Sequence, residues 1–428
     1  MPDLPRLVGA LRVPGDKSMS HRALILAGMA GSESTVSGLP DGLDVLSTRR
    51  CLERLGVVFD GTGRALRVRP PRDWTPGAML DAGNSGTTAR LLAGALVARR
   101  CTATITGDES LSRRPMERVA EPLRRLEASI ELTEGRLPLR VGFASLAPAR
   151  WEATLPSAQV KSAFLLAALG AGGESCYRET VPTRDHLERL MPLFGVPVRC
   201  DEDGTVRVRG GLRPRGARVA IPGDPSSAAV PITAAALLPG SEITVEGVML
   251  NPLRLGFVEV LTRMGASISV DVDRSLAGPE TVGSITARGA NDLQPVHVTA
   301  DEVPGIIDEL PLLVMAAAFT RGESRFDGLA ELRVKESDRL DAIIDLLEAL
   351  SVPHELEIDS LVLRGDPGVR LSRTLDARGD HRLALLHAVL ALRAPGNSFE
   401  PEACVAVSWP GFYDRFGSLV SRASVPSR

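Results

Sequence analysis

Aromatic residues are scarce in this sequence, and their scarcity argues against one class of ligand. They make up 4% of 428 residues, with two tyrosines and three tryptophans. Proteins that bind single-stranded nucleic acid without sequence preference stack its bases on aromatic side chains. The net charge of −3 also lacks the basic excess that attracts nucleic acid. We therefore expect no nucleic-acid partner, and any anion site has to be a local cluster of Lys and Arg.

Cysteines are few as well, and no two are spaced as a CxxC pair. The five are Cys51, Cys101, Cys176, Cys200 and Cys404. A chain of this length buries a core without disulfides, so free thiols in a reducing compartment are expected. No His/Cys cluster has zinc-ligand spacing, and we expect neither a metal nor a cofactor.

Long apolar runs are missing too. No uncharged stretch reaches the roughly 18 residues of a membrane-spanning helix. The longest candidate, residues 310–320, predicts a buried helix instead. The N-terminus lacks the charged and apolar regions of a signal peptide. These features predict a cytoplasmic protein without a membrane partner.

The sequence is rich in internal repetition. A unit made of an Ala/Leu-rich helix, a β-branched strand, an amphipathic helix and a further strand occurs six times. Its openings recur at intervals of 66 to 82 residues, at Ser18, Asn84, Ser157, Ser226, Asp308 and Asp380. The first helix of each unit is apolar nearly all round, which is typical of a fully buried helix. The second carries Arg and Glu on one face, which indicates half exposure.

The repeats predict the fold class and the domains. Alternating helices and strands indicate an α/β or α+β protein, and three units of about 70 residues suffice for one domain. The turn around Gly223 repeats the PGD sequence of residues 14–16. We therefore predict one domain over residues 14–223 and a second over 224–428, with residues 1–13 added to the second as a strand.

Basic residues stand where the helices are predicted to begin. Lys17 and Arg22 flank the first opening, and Arg382 lies at the sixth. A Ser or Asn at such a point is explained as a helix cap. A cation there is repelled by the positive end of the helix dipole. An anionic ligand, in contrast, would be attracted by the cation and by the helix end together. The pattern therefore favours anion binding.

Two further segments concentrate charge. Arg114 precedes Pro115, so we expect it at another helix start. Lys335 and Arg339 are spaced i, i+4, on one face of a helix, with Glu336 beside them. The second segment fits either an anion site or a surface salt-bridge ladder.

The sequence GDKS lacks the glycines of a phosphate-binding Walker loop. The histidines of Asp185-His186 and Asp380-His381-Arg382 fit either acid–base or structural roles.

These segments together resemble the enolpyruvyl transferases, and specifically the EPSP synthase family. The matching strings lie between residues 14 and 384 and are PGDKSMSHRALILA, GNSGTTARLL, GDESLSRRPM, PSAQVKSAFLLAAL, TRDH, IDELPLLVMAAAF, RVKESDRL and GDHRLA. A sister family that acts on UDP-N-acetylglucosamine carries a reactive cysteine in a mobile loop. The corresponding loop here, residues 108–115, has none.

The resemblance implies a fold and a reaction. The fold has two similar domains, each of three βαβαββ-like units around a pseudo-threefold axis, with the active site in the interdomain cleft. The enzyme would be a monomer without cofactor. It would transfer the enolpyruvyl group of phosphoenolpyruvate to the 5-hydroxyl of shikimate 3-phosphate and release phosphate. That step belongs to the shikimate pathway, which leads to chorismate and the aromatic amino acids.

The resemblance also implies roles for individual residues. Contacts to shikimate 3-phosphate are expected from Lys17, Ser18, Arg22, Ser157, Ala158, Gln159, Arg184, Asp308 and Lys335. Contacts to phosphoenolpyruvate are expected from Lys17, Asn84, Gly86, Arg114, Gln159, Arg339 and Arg382. Catalytic roles are expected from Lys17, Asp308, Lys335 and Glu336.

The sequence leaves the identities of the base and the acid open. Asp308 or Lys335 could be the base, and Glu336 is the candidate acid, alone or with Lys335. Many relatives carry a Lys shortly before the aromatic-Pro pair of the last unit, where this sequence has Val407 and Ser408. Gly86 predicts sensitivity to glyphosate. The alternatives are the sister enzyme and an inactive anion-binding repeat protein, although acids such as Asp308 and Glu336 would only repel an anion in a pure binder.

Overall fold

The computed structural model describes residues 4–62, 65–143, 145–276, 278–290, 292–394 and 402–421. The chain divides into two compact units. The N unit consists of Gly15–Ile221 and Gly278–Glu280. The C unit consists of Met1–Pro14, Pro222–Ala277 and Thr281–Arg428. The chain therefore passes between the units at the two PGD turns, and again on either side of Gly278–Glu280.

The strands are short, as expected for units of about 70 residues that each hold several elements. They are β1 (Arg6–Arg12), β2 (Ser34–Ser37), β3 (Val58–Thr62), β4 (Ala65–Arg69), β5 (Ala78–Asp81), β6 (Ala103–Thr106), β7 (Ile130–Thr133), β8 (Arg136–Val141), β9 (Arg150–Glu152), β10 (Glu174–Arg178), β11 (Val198–Cys200), β12 (Thr205–Arg209), β13 (Arg218–Ala220), β14 (Glu242–Met249), β15 (Ser267–Val272), β16 (Val282–Arg288), β17 (His297–Val298), β18 (Gly322–Phe326), β19 (His354–Leu356), β20 (Leu361–Gly365) and β21 (Val420–Ser421).

The helices alternate with these strands. They are α1 (Lys17–Met29), α2 (Leu43–Arg54), α3 (Gly86–Ala98), α4 (Glu109–Arg113), α5 (Glu117–Arg125), α6 (Ala158–Ala168), α7 (His186–Leu190), α8 (Pro225–Leu237), α9 (Gly256–Arg263), α10 (Val303–Ile306), α11 (Leu310–Ala318), α12 (Arg339–Ala349), α13 (His381–Arg393) and α14 (Phe412–Gly417). Short 3₁₀ helices occupy Met191–Phe194, Pro252–Arg254, Ala330–Val334 and Ala403–Val407.

Within the described residues the strands form five sheets that share one topology. In each sheet an edge strand pairs in parallel with a central strand, and an antiparallel hairpin completes the other side. In the C unit, β21 extends one of these sheets by pairing with the edge strand β1. The sheets of the N unit are β13-β2-β4-β3, β5-β6-β8-β7 and β9-β10-β12-β11, and those of the C unit are β17-β18-β20-β19 and β21-β1-β14-β16-β15. The common topology is the structural counterpart of five of the six sequence repeats. The strand predicted for the sixth unit, at residues 395–400, lies outside the described residues.

The edge strands at the two crossings are exchanged between repeats. β1 precedes α1 in sequence, yet it pairs in parallel with β14, with Val8 opposite Glu242. β13 precedes α8, yet it pairs in parallel with β2, with Arg218 opposite Thr35. Each strand therefore completes a sheet in its own unit before the chain leaves that unit.

The first helix of each repeat is buried, as predicted. Every residue of α8 and α11 is buried, and so is α1 from Met19 onward. Helices α3 and α6 pack closely because Gly94 has no side chain. A Cβ there would lie 2.1 Å from the carbonyl oxygen of Ala163. This contact holds together the two helices that carry much of the site described below.

Several helices begin a residue or two away from the predicted openings. The capping side chains are Asp16 for α1, Ser85 for α3 and Asp224 for α8, whereas Ser157 and Asp380 cap α6 and α13. Asp308 is not a cap, since α11 begins at Leu310. The opening residues Ser18 and Ser226 therefore lie inside the first helical turn.

The cysteines and the helix lengths agree with the sequence-based expectations. Cys51, Cys101, Cys176, Cys200 and Cys404 are all free. Among the described residues, no helix combines the length and the apolar character needed to span a membrane.

His387 on α13 makes the C unit sensitive to acid. Burial lowers the pKa of His387 to about 4, and Asp376 and Asp345 only partly oppose this. The unfolded chain, with a histidine pKa near 6.5, therefore binds the extra proton first, so stability is lost as the pH falls from 6.5 towards 4. We expect His387→Gln to remove about 2 kcal/mol of the pH dependence of unfolding between pH 7 and pH 5.

The measurement is urea unfolding of both proteins at several pH values. The variant can be less stable at every pH. The test is the difference between the two curves, which should shrink as the pH falls. Parallel curves would contradict the prediction.

Candidate active site

Three buried helices of the N unit begin next to one another. Arg22 of α1 donates from Nε to Ser162 Oγ (3.0 Å) and from Nη2 to the Ala158 carbonyl (3.1 Å), both on α6. Arg90 of α3 donates to Gln159 Oε1 of α6 (2.6 Å). We call the residues around these first turns the N cluster: Lys17, Ser18, Arg22, Asn84, Gly86, Arg90, Arg114, Ser157, Ala158, Gln159 and Arg184. The dipoles of α1, α3 and α6 all point their positive ends here.

Arg22 and Arg184 meet at Ser18. The Arg22 side chain is 1% exposed and donates from Nη1 to the Ser18 carbonyl (2.8 Å). Arg184 donates to Ser18 Oγ (3.2 Å). These uncharged acceptors orient the two guanidinium groups. Such groups suit bidentate recognition of phosphate.

A second pair of contacts lies at the start of α3. Arg114 donates from Nη2 to Asn84 Oδ1 (2.6 Å), and Asn84 Nδ2 donates to Asp108 (2.8 Å). Gly86 is the first residue of α3, and a Cβ there would lie 2.7 Å from Arg90 Nη1 and 3.4 Å from Arg114 Nη1. The absence of a side chain at Gly86 therefore keeps room between two guanidinium groups.

The predicted position of Arg114 at a helix start is wrong. Arg114 directly follows α4 with an extended backbone (ψ 144°), and α5 begins only at Glu117. The reason is Pro115, whose ring disfavours helical backbone in the residue before it. Arg114 nevertheless reaches the start of α3 through its side chain.

Lys17 begins α1 and pairs with Asp44 over 2.8 Å. Burial lowers the pKa of the neighbouring His21 well below its usual value, and the charges of Lys17 and Arg22 lower it further. His21 is therefore neutral, and its Nδ1 shares a hydrogen bond with Thr48 (2.6 Å). The positive charge of this corner belongs to Lys17 and Arg22.

Arg339 organises a second group of charges in the C unit. It is 1% exposed and donates to three carboxylates: Asp380 (2.8 Å), Glu336 (2.7 Å) and Asp308 (3.2 Å). We call the C cluster Asp308, Lys335, Glu336, Arg339, Asp380 and Arg382. Burial alone would lower the pKa of Arg339, but Asp380, Glu336 and Asp308 raise it. Arg339 therefore stays charged and fixes the positions of the acids.

Lys335 and Arg339 are not on one helical face, contrary to the prediction. The 3₁₀ helix Ala330–Val334 ends before Lys335, whose backbone is extended (φ −84°, ψ −157°). Asp338 caps α12 by accepting from Asp341 N, so the helix starts at Arg339. Burial lowers the pKa of Lys335, while Asp308 opposes the shift. A lysine with a lowered pKa is better suited to accept a proton.

Arg382 lies in the first turn of α13, where its N–H donates to the capping Asp380 (2.9 Å). The structure thus groups every predicted site residue into one of the two clusters. The N cluster holds the predicted residues from Lys17 to Arg184, and the C cluster holds Asp308, Lys335, Glu336, Arg339 and Arg382.

Sequence reasoning missed Arg90, Asp44 and the part played by Asp380 as the partner of Arg339. Arg90 had a usable signal, because a charge inside an otherwise apolar, buried helix needs a partner. Arg90 is 8% exposed, and its hydrogen bond to Gln159 supplies the partner that a buried charge needs. Asp44 had no such signal, since its contact with Lys17 joins residues 27 positions apart.

Comparison with known proteins identifies the family. The model of the family described as EPSP synthase (3-phosphoshikimate 1-carboxyvinyltransferase) matches residues 3–416. The chain belongs to the EPSP synthase family. It is similar to the 3-phosphoshikimate 1-carboxyvinyltransferases of Acidiphilium cryptum (45% identity, 95% of this chain and 93% of that one) and Phenylobacterium zucineum (43%, 96% and 93%). An EPSP synthase structure from Acinetobacter baumannii is 34% identical, with a TM-score of 0.83 and 98% of each chain covered.

Members of the EPSP synthase family catalyse enolpyruvyl transfer in the shikimate pathway, the activity numbered EC 2.5.1.19. Their substrates are the small molecules phosphoenolpyruvate and shikimate 3-phosphate. The sequence-based predictions of the family, the mixed α/β fold and the transferase activity are thus confirmed.

Proposed function

We propose that the N cluster binds the anionic groups of both substrates while the C cluster moves the protons of the reaction. The phosphate of shikimate 3-phosphate contacts Ser157 and Arg184, and the remainder of this substrate contacts Ser18, Arg22 and Ala158. Gln159 contacts both substrates. The shared hydrogen bonds of Arg22, Arg184 and Ser18 support this grouping.

Phosphoenolpyruvate is bound by Asn84, Gly86, Arg114 and Lys17 on the N unit. Arg339 and Arg382 of the C unit contribute the remaining positive charge. The room beside Gly86, between two guanidinium groups, supports this part of the proposal. A dianionic phosphate and a carboxylate would gain charge-assisted hydrogen bonds from these donors.

The chemistry is addition followed by elimination. The 5-hydroxyl oxygen of shikimate 3-phosphate forms a bond to C2 of phosphoenolpyruvate, and C3 gains a proton to become a methyl group. Asp308 or Lys335 takes the hydroxyl proton, and Glu336 supplies the proton to C3. In the second step C3 returns its proton to Glu336, the C2–O bond to the phosphoryl group breaks, and the leaving inorganic phosphate takes the proton that the base removed from the 5-hydroxyl.

One observation carries the proposal: the positive ends of α1, α3 and α6 converge with Lys17, Arg22, Arg90, Arg114 and Arg184 in one cluster. Cationic side chains and positive helix ends gathered in one place favour the binding of an anion. The C cluster differs, because Arg339 there holds three carboxylates. The N cluster thus supplies most of the anion contacts, and the C cluster supplies the proton-transfer groups together with Arg339 and Arg382. One chain supplies both, so we propose an active monomer with no nucleic-acid or membrane partner.

The test is phosphate release by the purified protein. We expect release that requires phosphoenolpyruvate and shikimate 3-phosphate together and stops when either is omitted. UDP-N-acetylglucosamine in place of shikimate 3-phosphate should give no release. Release with the sugar nucleotide would favour the sister activity, and no release with any pair would leave only an anion-binding protein.

Glyphosate sensitivity should depend on Gly86. The methyl group of Gly86→Ala would push the tips of Arg90 and Arg114, which are flexible, so the fold tolerates it. A rigid inhibitor beside these groups has less room, and we expect its inhibition constant to weaken about 10- to 100-fold. Steady-state inhibition measures this.

Gly172→Ala is the matched control, because a Cβ at Gly172 meets no atom within 4 Å. It should leave the inhibition constant unchanged. If wild type bound glyphosate no more tightly than Gly86→Ala, the predicted role of Gly86 would be wrong.

A further inference from the structure

Three charges are buried together in the N unit, away from the residues assigned to substrate. Lys161 of α6 is 1% exposed, and its Nζ lies 2.6 Å from Glu179 Oε1 and 2.8 Å from Glu188 Oε1. Burial alone would lower the pKa of Lys161, but Glu188 and Glu179 raise it, so the amine is charged. Apolar residues of similar volume often stabilise a protein as well as such a group does. The network therefore calls for a role beyond stability.

The network forms a hydrogen bond with each polar group of Thr183. Glu179 accepts from Thr183 N through Oε1 (3.0 Å) and from Thr183 Oγ1 through Oε2 (2.7 Å). Lys161 Nζ donates to the Thr183 carbonyl (3.2 Å). The Thr183 carbonyl is thus bonded directly to α6 through Lys161, and its N–H is bonded to Glu179, which Lys161 also contacts.

The next residue is Arg184, which donates to Ser18 at the start of α1. Lys161 lies one turn beyond the N-terminus of α6, whose cap is Ser157. The network therefore sets where Arg184 stands relative to Ser157. Both of these residues are assigned to one phosphate group in the proposed function.

We propose that Glu179 and Lys161 are positioning residues for shikimate 3-phosphate, which hold Thr183 so that Arg184 and the start of α6 bind the same phosphate. This inference rests on the proposed function. Neither residue touches substrate in this assignment. Both act through the backbone of Thr183.

Glu188 provides a matched control inside the same network. It is as buried as Glu179 (6% and 7% exposed) and as close to Lys161, while the two bonds from Thr183 go to Glu179. Burial raises the pKa of Glu188, although Lys161 opposes this. A change at Glu188 perturbs the buried charges without releasing Thr183 from Glu179.

The experiment compares Glu179→Gln, Thr183→Val, Thr183→Ser and Glu188→Gln with wild type. For each we measure kcat, both KM values, the Kd of shikimate 3-phosphate by calorimetry and the thermal midpoint. We expect Glu179→Gln and Thr183→Val to raise the KM and Kd for shikimate 3-phosphate about tenfold, since small displacements of binding groups are costly. The KM for phosphoenolpyruvate should stay within about twofold.

Thr183→Ser keeps the hydroxyl and should behave as wild type. Glu188→Gln should lower the thermal midpoint yet leave the Kd for shikimate 3-phosphate within about twofold. An unchanged Kd in both Glu179→Gln and Thr183→Val would overturn the inference. So would an equal rise in Glu188→Gln, or an equal rise in the KM for phosphoenolpyruvate. Thr183→Val removes only one hydrogen bond and so serves if Glu179→Gln does not fold.

Arg184→Met separates this inference from the proposed function on which it rests. If Arg184→Met weakens shikimate 3-phosphate binding while Glu179→Gln and Thr183→Val do not, only the positioning role fails. If Arg184→Met has no effect, the phosphate assignment itself fails and takes the positioning role with it.

Discussion

Replacing Arg339 by Met should both inactivate and destabilise the protein. Arg339 is the common donor to Asp308, Glu336 and Asp380, and its removal leaves Asp380, which is 1% exposed, without its cation. Breaking a buried ion pair from one side costs about 3–5 kcal/mol of unfolding free energy. Loss of a phosphoenolpyruvate contact together with two displaced acids should lower kcat/KM by about 1,000-fold or more.

Arg339→Lys separates the two effects. Lysine keeps the charge but is a point donor without the planar fork, so it cannot reach three carboxylates as arginine does. We expect it to regain part of the stability and little of the activity. Denaturant unfolding and steady-state kinetics on the same samples distinguish these outcomes.

The matched control is Arg364→Met. Arg364 is 71% exposed and lies 3.6 Å from Glu323, and such surface pairs contribute about 0–1 kcal/mol. It should change neither stability nor turnover appreciably. If Arg339→Met lost no more stability than Arg364→Met, the three short contacts would not reflect how the C cluster is held together.

Glu336→Gln should lower kcat while leaving the fold intact. Glutamine has the same shape and still accepts a hydrogen bond from Arg339, so stability should change by less than about 1 kcal/mol. It can no longer carry the proton to C3 of phosphoenolpyruvate. Loss of a positioned acid typically costs about 100- to 10,000-fold in rate. The Glu336 side chain is 25% exposed, which lets it exchange its proton with solvent between turnovers.

Deuterium incorporation gives a direct readout of this step. In D₂O the wild type should incorporate deuterium at C3 of phosphoenolpyruvate, because the methyl group of the adduct forms and loses a proton. Glu336→Gln should lose this exchange along with turnover, whereas the exposed Glu355→Gln should keep both. Full exchange and turnover in Glu336→Gln would assign the proton to another group, and Lys335 would be the next candidate.

Much of the fold could be predicted from the sequence. The Ala/Leu-rich first helices are a local pattern that the structure confirms. The half-exposed second helices are confirmed for α2, α5, α9 and α12, whereas α7 is mostly buried. Where a predicted helix boundary was wrong, a single residue determined the actual boundary. Pro115 kept Arg114 out of a helix, and Asp338 started α12 at Arg339 rather than at Lys335. A cap or a proline shifts a boundary by a few residues without changing the hydrophobic pattern.

The candidate site could be predicted in part. Lys17, Arg22 and Arg382 stood out because cations oppose the dipole at a helix start. Arg90 and Lys161 were missed, although a charge inside an apolar helix is a signal, because the partner of each is distant in sequence. Arg90 meets Gln159, 69 residues away, and Lys161 meets Glu179, 18 residues away.

The sequence by itself determined the repeat, the class of each element, the family and the identities of the chemical groups, because these depend on short-range spacing and residue type. Only the tertiary structure decided which strands pair, β1 with β14 and β13 with β2, and which acid each buried cation holds. The physical reason is that hydrogen bonds and ion pairs depend on distances of about 3 Å. Distances between residues far apart in the chain are fixed only when the whole unit packs.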